Sequence, residues 1–389
     1  MKGLMLKADW DPKPGYQLTE HEIKTREVIT SSSVWRNPKI VLEDVPKPAI
    51  GPEDVLLRVK ACGICGTDVH LYEADKDGYV LYPGLARFPS VLGHEFSGVV
   101  EEVGKKVTSL KPGDKVTVEE MNWCGACTPC RNGFPNQCAN LVEIGITING
   151  GFEDYLSVNS KYCWKLNSLE NVFDNEEQIF EAGALVEPTC VAYNAMFERG
   201  GGFRPGAYVV IYGAGPIGLA ATALARCAGA AKVIVFEVLK NRQQMARQLG
   251  ADHVFDPIKL QKDGSSPHQV VMDLTEGEGA DFHFEAAGLP DKTMPEIEKS
   301  LAINGRIVQA SRSPERTGMY LEVLQVRRGQ LFGAQGHSGH GNFPNVIRLM
   351  ASGRIDMTKI ITARFTLDQA VEAFKQAGKR QDGKIIIKP

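Results

Sequence analysis

The stretch Tyr208-Val-Val-Ile-Tyr212-Gly213-Ala-Gly215-Pro-Ile-Gly218-Leu-Ala-Ala-Thr-Ala-Leu-Ala-Arg226 decides the fold of this chain. An apolar run ends at Tyr212, a glycine-rich turn follows, and an Ala-rich segment with helical character comes next. The uncharged segment is long enough on paper to span a bilayer, but its glycines and Pro216 break it into three short pieces. The stretch therefore predicts a buried strand–loop–helix unit and not a membrane span.

The glycine-rich turn predicts a dinucleotide site. Its glycines allow a tight turn and a close approach of pyrophosphate to the backbone, while the helix N-terminus favours negative charge. The loop residues predicted to bind the cofactor are Gly213, Gly215, Pro216, Ile217 and Gly218. The alternative is a glycine-rich turn that binds no cofactor.

The choice of cofactor depends on the residue that follows the second strand of this unit. The predicted strand Lys232–Phe236 ends at Glu237, at the spacing expected for the acidic residue that binds the adenosine ribose. A carboxylate there accepts hydrogen bonds from both ribose hydroxyls and repels a 2′-phosphate. NAD is therefore predicted over NADP, and Arg242 is a further cofactor-binding candidate that would soften this choice.

The pattern of predicted strands and helices changes along the chain. From about residue 184, strands alternate with helical stretches, which is typical of a doubly wound parallel sheet. The earlier part consists of short β-type runs and predicts a mostly β, barrel-like domain, interrupted by residues 11–33, a polar segment without a clean period. After about residue 336 the strand–helix alternation ends.

Composition excludes several classes of function. A chain of 389 residues predicts two or three domains. With 44 basic and 47 acidic residues the formal charge is −3, and no basic block is present. Nucleic acid and membrane are therefore unexpected partners. The N-terminus does not have the apolar run of a signal peptide. The nine cysteines are interpreted as reduced thiols of a cytoplasmic protein.

Four of these cysteines predict a structural zinc site. They follow the pattern Cys124-x2-Cys127-x2-Cys130-x7-Cys138. Four thiolates satisfy the tetrahedral preference of zinc, and the two-residue gaps let the sulfurs converge. Because all four positions are filled by protein, this metal would hold a loop together. The alternatives are an iron–sulfur cluster or unligated cysteines.

The candidate catalytic stretch is Cys62-Gly-Ile-Cys65-Gly-Thr67-Asp68-Val-His70. Cys65 offers a soft zinc ligand, Thr67 can hydrogen-bond an oxygen bound to that metal, and His70 is near enough in sequence to pass a proton towards water. A metal that polarises an oxygen, beside a group that removes its proton, prepares an alcohol to lose hydride. A Cys-x-x-Cys pair alone is equally compatible with a redox or structural role.

The candidate ligands of this catalytic zinc are Cys65, His94, Glu95 and Glu187. An open catalytic site needs only three protein ligands, because water or substrate fills the fourth position. We expect Cys65 and His94 to be constant ligands. Glu95, also a candidate catalytic residue, and Glu187 would share coordination or alternate between direct and indirect contact with the metal. For Glu187 a salt bridge is the alternative.

These motifs, taken in order, closely resemble those of the zinc-dependent medium-chain dehydrogenases/reductases, nearly from end to end. The resemblance implies an α/β chain with a GroES-like β-rich catalytic domain and a Rossmann doubly wound cofactor domain. The implied boundaries are 1–187 and 337–389 for the catalytic domain and 188–336 for the NAD-binding domain. It also implies a homo-oligomer, either a dimer or a tetramer.

Glutamate at position 187, where classical alcohol dehydrogenases usually have cysteine, is similar to the polyol branch of sorbitol and threonine dehydrogenases. The sequence as a whole is also similar to those of bacterial dehydrogenases of cyclitols and inositol-derived ketones such as scyllo-inosose. The predicted function is zinc-dependent hydride transfer between a secondary alcohol of a polyol or cyclitol and NAD. The alternatives are an L-threonine or simple alcohol dehydrogenase, and a nucleotide-binding protein of this fold without catalytic activity.

Overall fold

The computed structural model describes residues 1–313 and 316–389, which form two compact units. The first unit comprises Met1–Glu187 and Ile361–Pro389, and the second comprises Pro188–Ile360. Within the described residues, no helix has the length and apolar character needed to cross a membrane.

The strands, numbered in chain order, are β1 (Lys2–Trp10), β2 (Glu27–Val28), β3 (Trp35–Asp44), β4 (Asp54–Gly63), β5 (Ala86–Arg87), β6 (Ser90–Val91), β7 (Glu95–Val103), β8 (Lys115–Val118), β9 (Met121–Asn122), β10 (Val142–Glu143), β11 (Tyr155–Asn159), β12 (Cys163–Lys165), β13 (Tyr208–Tyr212), β14 (Lys232–Phe236), β15 (His253–Phe255), β16 (Ala280–Glu285), β17 (Leu301–Gln309), β18 (Gln330–Gly333), β19 (Ile361–Thr366) and β20 (Lys384–Lys388). The α-helices are α1 (Glu20–Thr25), α2 (Gly66–Tyr72), α3 (Thr128–Arg131), α4 (Glu176–Ala184), α5 (Val186–Tyr193), α6 (Pro216–Cys227), α7 (Lys240–Gln248), α8 (Pro257–Lys262), α9 (Pro267–Leu274), α10 (Pro290–Ser300), α11 (Glu322–Val326), α12 (Asn342–Ala351) and α13 (Ala370–Gly378).

A seven-stranded sheet forms the framework of the first unit. Its order is β12-β8-β7-β4-β20-β19, and β11 also pairs with β4. The last strand of the chain, β20, pairs antiparallel with β4 at Cys62 and Gly63, the first two residues of the candidate catalytic stretch. Buried apolar side chains pack against this sheet and the smaller sheet β3-β1-β6, and the rings of Phe152 and Phe374 meet edge to face. The predicted β-rich domain is confirmed.

Residues 11–33 contain more regular structure than their sequence predicts. The segment forms helix α1 and strand β2, although its sequence shows no period, because a helix of six residues is too short to display one. Thr19 and Glu22 form a capping box at the start of the helix. Glu22 is buried, and its carboxylate also accepts hydrogen bonds from the Tyr16 hydroxyl at 2.9 Å and the Ile29 backbone N–H at 3.1 Å.

The same segment holds the loop between the two halves of the candidate metal site. Strand β2 pairs with β5, and the buried Ser31 hydroxyl donates to the carbonyl oxygens of Tyr82 at 2.6 Å and Gly84 at 2.8 Å. These contacts act on the chain between α2 and His94. The insertion therefore determines the path of that loop.

A six-stranded parallel sheet forms the framework of the second unit. Its order is β15-β14-β13-β16-β17-β18, which is the doubly wound order with a topological switch point between β13 and β16. Its central strands are apolar almost throughout, as in the run Val209–Ile211, because helices cover both faces of such sheets. The predicted Rossmann domain is confirmed.

The return of the chain to the first unit occurs later than the sequence predicts. The prediction places it at residue 337, whereas residues 337–360 belong to the second unit and the return comes at Ile361. Helix α12 buries Phe343, Val346 and Met350, and the turn Met357–Ile360 packs on α6 and α7. The end of strand–helix alternation therefore does not mark a domain boundary.

One buried carboxyl in the first unit predicts a pH effect on stability. Burial, and then the charge of Asp154, raise the pKa of Glu153 from 4.5 to about 8. Between these values the unfolded chain ionises while the folded chain keeps its proton, so stability falls as pH rises through this window. Above this pH window the loss of folding free energy is complete and amounts to about 4–5 kcal/mol.

Glu153→Gln should therefore raise the melting temperature in alkaline buffer and leave it nearly unchanged in acid. Melting curves at about pH 5 and about pH 9 measure the difference, because these values lie on either side of most of the titration window. Glu102→Gln, at an exposed position in the same unit, is the control. An equal gain at both pH values would contradict the ionisation argument.

Candidate active site and metal centres

Helix α2 carries the predicted catalytic side chains. It begins after Cys65, and Thr67 and His70, three residues apart, lie on one face of the helix. The main-chain carbonyl of His70 accepts hydrogen bonds from the backbone N–H groups of Leu81 and Tyr82, each at 3.1 Å. The end of the helix is thus tied to the loop that the insertion holds.

The structure brings Cys65, His94 and Glu95 together. One potential ligand atom from each lies within 4.8 Å of the other two. Strands β4 and β7 produce this arrangement, because Gly63 pairs with Glu95 in the sheet. Gly93 turns with φ of +98°, and a Cβ there would lie 2.8 Å from the Cys62 sulfur, so the turn requires glycine.

Asp68 connects two members of this group. It is fully buried, and one carboxylate oxygen accepts the backbone N–H of Cys65 at 2.8 Å, while the other lies 3.4 Å from Nδ1 of His94. Burial lowers the pKa of His94, but the charges of Asp68 and Cys65 outweigh it and hold this pKa well above the usual range. Asp68 therefore orients the imidazole, as carboxylates do for metal-binding histidines.

Lys384 pairs with Glu95 in the protein interior. Its Nζ lies 2.6 Å and 2.5 Å from the two carboxylate oxygens of Glu95, and both side chains are 1% exposed. A Cβ at Gly63 would lie 2.3 Å from the nearer oxygen, so the pair fits only beside a glycine. Burial lowers the pKa of Lys384, but Glu95 and Cys65, with a further contribution from Glu187, raise it overall.

Glu187 lies outside the group of Cys65, His94 and Glu95. It is buried in the first turn of α5, and a carboxylate oxygen of Glu120, also buried, lies within 4.8 Å of one of its own. Its charge nevertheless acts on Lys384, which places it in the same cluster of charges. The geometry therefore favours Glu95 over Glu187 as the carboxylate closest to Cys65 and His94.

The donor set of Cys65, His94 and Glu95 fits zinc. Zinc takes thiolate, imidazole and carboxylate ligands at about 2.0–2.3 Å, so ligand atoms of one ion lie within about 4.6 Å of each other. The ligand atoms of this group lie within 4.8 Å of one another, which is compatible with one shared ion. The two positive charges of a divalent ion would balance the negative charges of the Cys65 thiolate and the Glu95 carboxylate. The positive charge of Lys384 and the negative charge of Asp68 would balance each other.

The four cysteines of the loop also converge. Their sulfurs all lie within 4.8 Å of one another, and the sulfurs of Cys127 and Cys138 are 3.8 Å apart. A tetrahedron with zinc–sulfur bonds of about 2.3 Å has edges of about 3.8 Å. A four-iron cluster binds each thiolate to a different iron and therefore needs a wider spacing. The geometry favours one tetrahedral metal ion.

Backbone N–H groups of this loop point at the sulfurs. Ala126 and Cys127 donate to the Cys124 sulfur, and Asn140 donates to that of Cys138. Hydrogen bonds from Ala126 and Cys127 lower the pKa of the Cys124 thiol to about 6. Thiolates are the form that binds zinc, so these N–H groups prepare the Cys124 sulfur for a metal, whereas burial raises the pKa of the Cys130 thiol to about 12.

The glycine loop of the second unit leaves room for a phosphate group. Gly213 has φ of +86°, and a Cβ there would lie 2.7 Å from Cα of Ala287. A Cβ at Gly215, in contrast, would meet only Nη1 of Arg242, at 3.9 Å. Helix α6 begins directly after Gly215, with Pro216 in its first turn. These features fit a pyrophosphate bound at the helix N-terminus.

Glu237 lies beside this loop. Its carboxylate accepts the backbone N–H groups of Ala214 at 2.7 Å and Leu239 at 2.8 Å. A carboxylate has about four acceptor positions, so hydroxyl groups of a ribose could still bind. The remaining loop positions, Ile217 and Gly218, open α6, and Gly218 packs so closely against the Gly213 carbonyl that no side chain fits.

Asp68 and Lys384 were not predicted from the sequence as parts of the site. Asp68 stands inside the quoted stretch, and an acidic residue between a cysteine and a histidine was the available signal. Lys384 opens the apolar run Lys384-Ile-Ile-Ile, and a lysine entering a buried strand was its signal. Its partner is distant in sequence, so only the folded chain identifies the pair.

Two family models match this chain, one within the first unit and one within the second. Residues 51–168 match the alcohol dehydrogenase GroES-like domain, and residues 216–352 match the zinc-binding dehydrogenase family. Together these matches span most of the chain.

Individual proteins are similar over nearly the whole length. Scyllo-inosose 3-dehydrogenase from Thermotoga maritima is 46% identical, with 100% of this chain and 98% of that protein covered. L-threonine 3-dehydrogenase from Bacillus subtilis is 34% identical over 90% of this chain and 95% of that protein. A solved structure from Thermotoga maritima described as an alcohol dehydrogenase has a TM-score of 0.95 and 45% identity, with both chains covered completely.

Proposed function

The chain belongs to the zinc-binding dehydrogenases with an alcohol dehydrogenase GroES-like domain, and on this premise we propose that it oxidises a secondary alcohol of a cyclitol, or reduces the matching ketone, with NAD. The observation that carries the proposal is the convergence of Cys65, His94 and Glu95 in the first unit. A nucleotide-binding protein that had lost its chemistry would have no need of such a donor set.

In the proposed active site, Cys65, His94 and Glu95 hold a zinc ion. A zinc ion held there would supply a Lewis acid that polarises a substrate oxygen, and NAD would supply the hydride acceptor. Asp68 keeps the His94 ring in place, and Lys384 balances the charge of Glu95. In the proposed cluster Cys124, Cys127, Cys130 and Cys138 hold a second, structural ion.

We propose that Thr67 and His70 remove the proton of the alcohol. The Thr67 hydroxyl hydrogen-bonds the substrate oxygen and takes up its proton as it passes its own to His70. Both side chains are partly exposed on one face of α2, which supports a route from the reacting oxygen towards water.

NAD is the proposed cofactor because Glu237 would bind the adenosine ribose. Glu237→Ala should weaken NAD binding by about ten-fold or more, since hydrogen bonds to charged groups are the stronger ones. The same substitution should also improve the binding of NADP relative to NAD, because the repulsion of a 2′-phosphate by the carboxylate is lost. Arg242, which lies near the loop, could then pair with that phosphate. Dissociation constants for both cofactors measure this ratio. Glu278→Gln, at an exposed position of the same unit, is the control; an unchanged ratio in Glu237→Ala would contradict the assignment.

The substrate class is proposed from the relatives. The relative from Thermotoga maritima acts on scyllo-inosose, as its name states, and this supports a cyclitol or inositol-derived ketone. The second candidate is L-threonine, because several relatives are L-threonine 3-dehydrogenases. A panel of inositols, their ketones, linear polyols, L-threonine and ethanol, followed by the absorbance of reduced cofactor, separates these possibilities. Equal rates with ethanol and cyclic polyols would contradict the proposal.

We also propose a homo-oligomer that works in the cytoplasm. Strand β18 ends the parallel sheet, and apolar side chains near it are exposed, among them Leu331, Val326 and Leu321. An open edge of this kind supports association with a second copy. None of the nine cysteines forms a disulfide, which supports a reducing compartment.

A further inference from the structure

A buried carboxylate, Glu285, lies at the end of β16 in the second unit, outside the motifs discussed above. It is fully buried and stands in the sheet between Tyr212, the last residue before the glycine loop, and Gln309, the last residue of β17. Ligands of doubly wound sheets bind at this carboxyl edge, next to the switch point.

Glu285 binds the loops that leave β16 and β17. One carboxylate oxygen accepts the backbone N–H of Ala287 at 3.1 Å, and the other accepts the Gln309 amide at 3.0 Å and the Ser311 hydroxyl. Its main-chain carbonyl also accepts the N–H groups of Ala310 and Ser311. All these donors are neutral, so the carboxylate acts as a multiple hydrogen-bond acceptor.

These loops touch the glycine loop. The backbone of Ala287 lies so close to Gly213 that no side chain fits between them, and the Ala286 N–H donates to the Tyr212 carbonyl. A doubly wound sheet binds each half of a dinucleotide on one half of its strands. Glu237 and the glycine loop belong to the half built on β13–β15, so the half built on β16–β18 remains for the nicotinamide.

We propose that Glu285 is a positioning residue for the nicotinamide half of the cofactor, because its carboxylate fixes the loops after β16 and β17 beside the glycine loop. This inference rests on the proposed function, since it takes NAD as the cofactor. The inference goes beyond the proposed function because it assigns a role in binding the nicotinamide half to Glu285. This residue contacts the loops and would not contact the cofactor itself.

Binding of NADH and of AMP to purified Glu285→Gln tests the inference, because AMP contains only the adenosine half. Glutamine keeps the size of the side chain but loses an acceptor oxygen and the charge. NADH should bind about ten-fold more weakly or worse, while AMP affinity should stay within about two-fold of that of the unchanged chain. Ser311→Ala, which removes one donor and is less disruptive, should weaken NADH in the same direction, and Glu278→Gln is the control.

Each outcome decides the matter. Equal weakening of NADH and AMP would mean a general collapse of the unit and would overturn the positioning role. Unchanged NADH affinity in both Glu285→Gln and Ser311→Ala would overturn it as well. If Glu285→Gln fails to fold, Ser311→Ala alone decides, through the same ratio. An unchanged chain that binds neither NADH nor AMP would overturn the proposed cofactor and this inference together.

Discussion

Cys65→Ala should abolish most turnover and remove one zinc ion per chain. The group of Cys65, His94 and Glu95 would keep only an imidazole and a carboxylate already paired with Lys384, which cannot hold the ion in an open tetrahedral site. Without the ion the alcohol oxygen is not polarised, so kcat/KM should fall by about a thousand-fold or more. Steady-state kinetics and metal analysis of the same sample measure both effects.

The matched control for this prediction is Cys62→Ala. Cys62 begins the same stretch and is fully buried, but it is not part of the group of potential ligands. It should keep both ions and most of the turnover. Retention of both ions in Cys65→Ala, or full turnover after loss of one, would contradict the proposed metal site.

Cys127→Ser should remove the other ion and destabilise the first unit. The loop of Cys124–Cys138 contains only short helical turns, α3 and the 3₁₀ turn Pro135–Gln137, and most of its residues are exposed or partly exposed, so little apolar burial supports it. Metal binding supplies the folding energy of such loops, and its loss should cost on the order of 5 kcal/mol or more. Thermal melting, zinc analysis and proteolytic cleavage within the loop report this change.

The control for the loop is Cys163→Ala, a cysteine of the same unit outside the cluster. It should retain both ions and resist cleavage in the loop. If Cys127→Ser kept its second ion and its melting temperature, the four thiolates would not be acting as a zinc site. Loss of the Cys65-bound ion in this variant, with the loop intact, would contradict the separation of the two sites.

Local patterns in the sequence determine several features of this protein by themselves. The glycine loop with its strand and helix indicates a doubly wound unit, because this spacing lets the backbone and a helix N-terminus approach a pyrophosphate. The spacing of Cys124, Cys127, Cys130 and Cys138 indicates a tetrahedral site, since short gaps bring sulfurs together without help from the rest of the chain.

Only the tertiary structure decided how distant groups combine. The pairing of Lys384 with Glu95 depends on β20 joining β4, and the separation of Glu187 from Cys65 and His94 depends on where α5 begins. Strand pairing between remote segments leaves no periodic mark in the sequence, so these contacts could not be predicted. The sequence determined which chemical groups are present, and the packing of the sheets decided which of them meet.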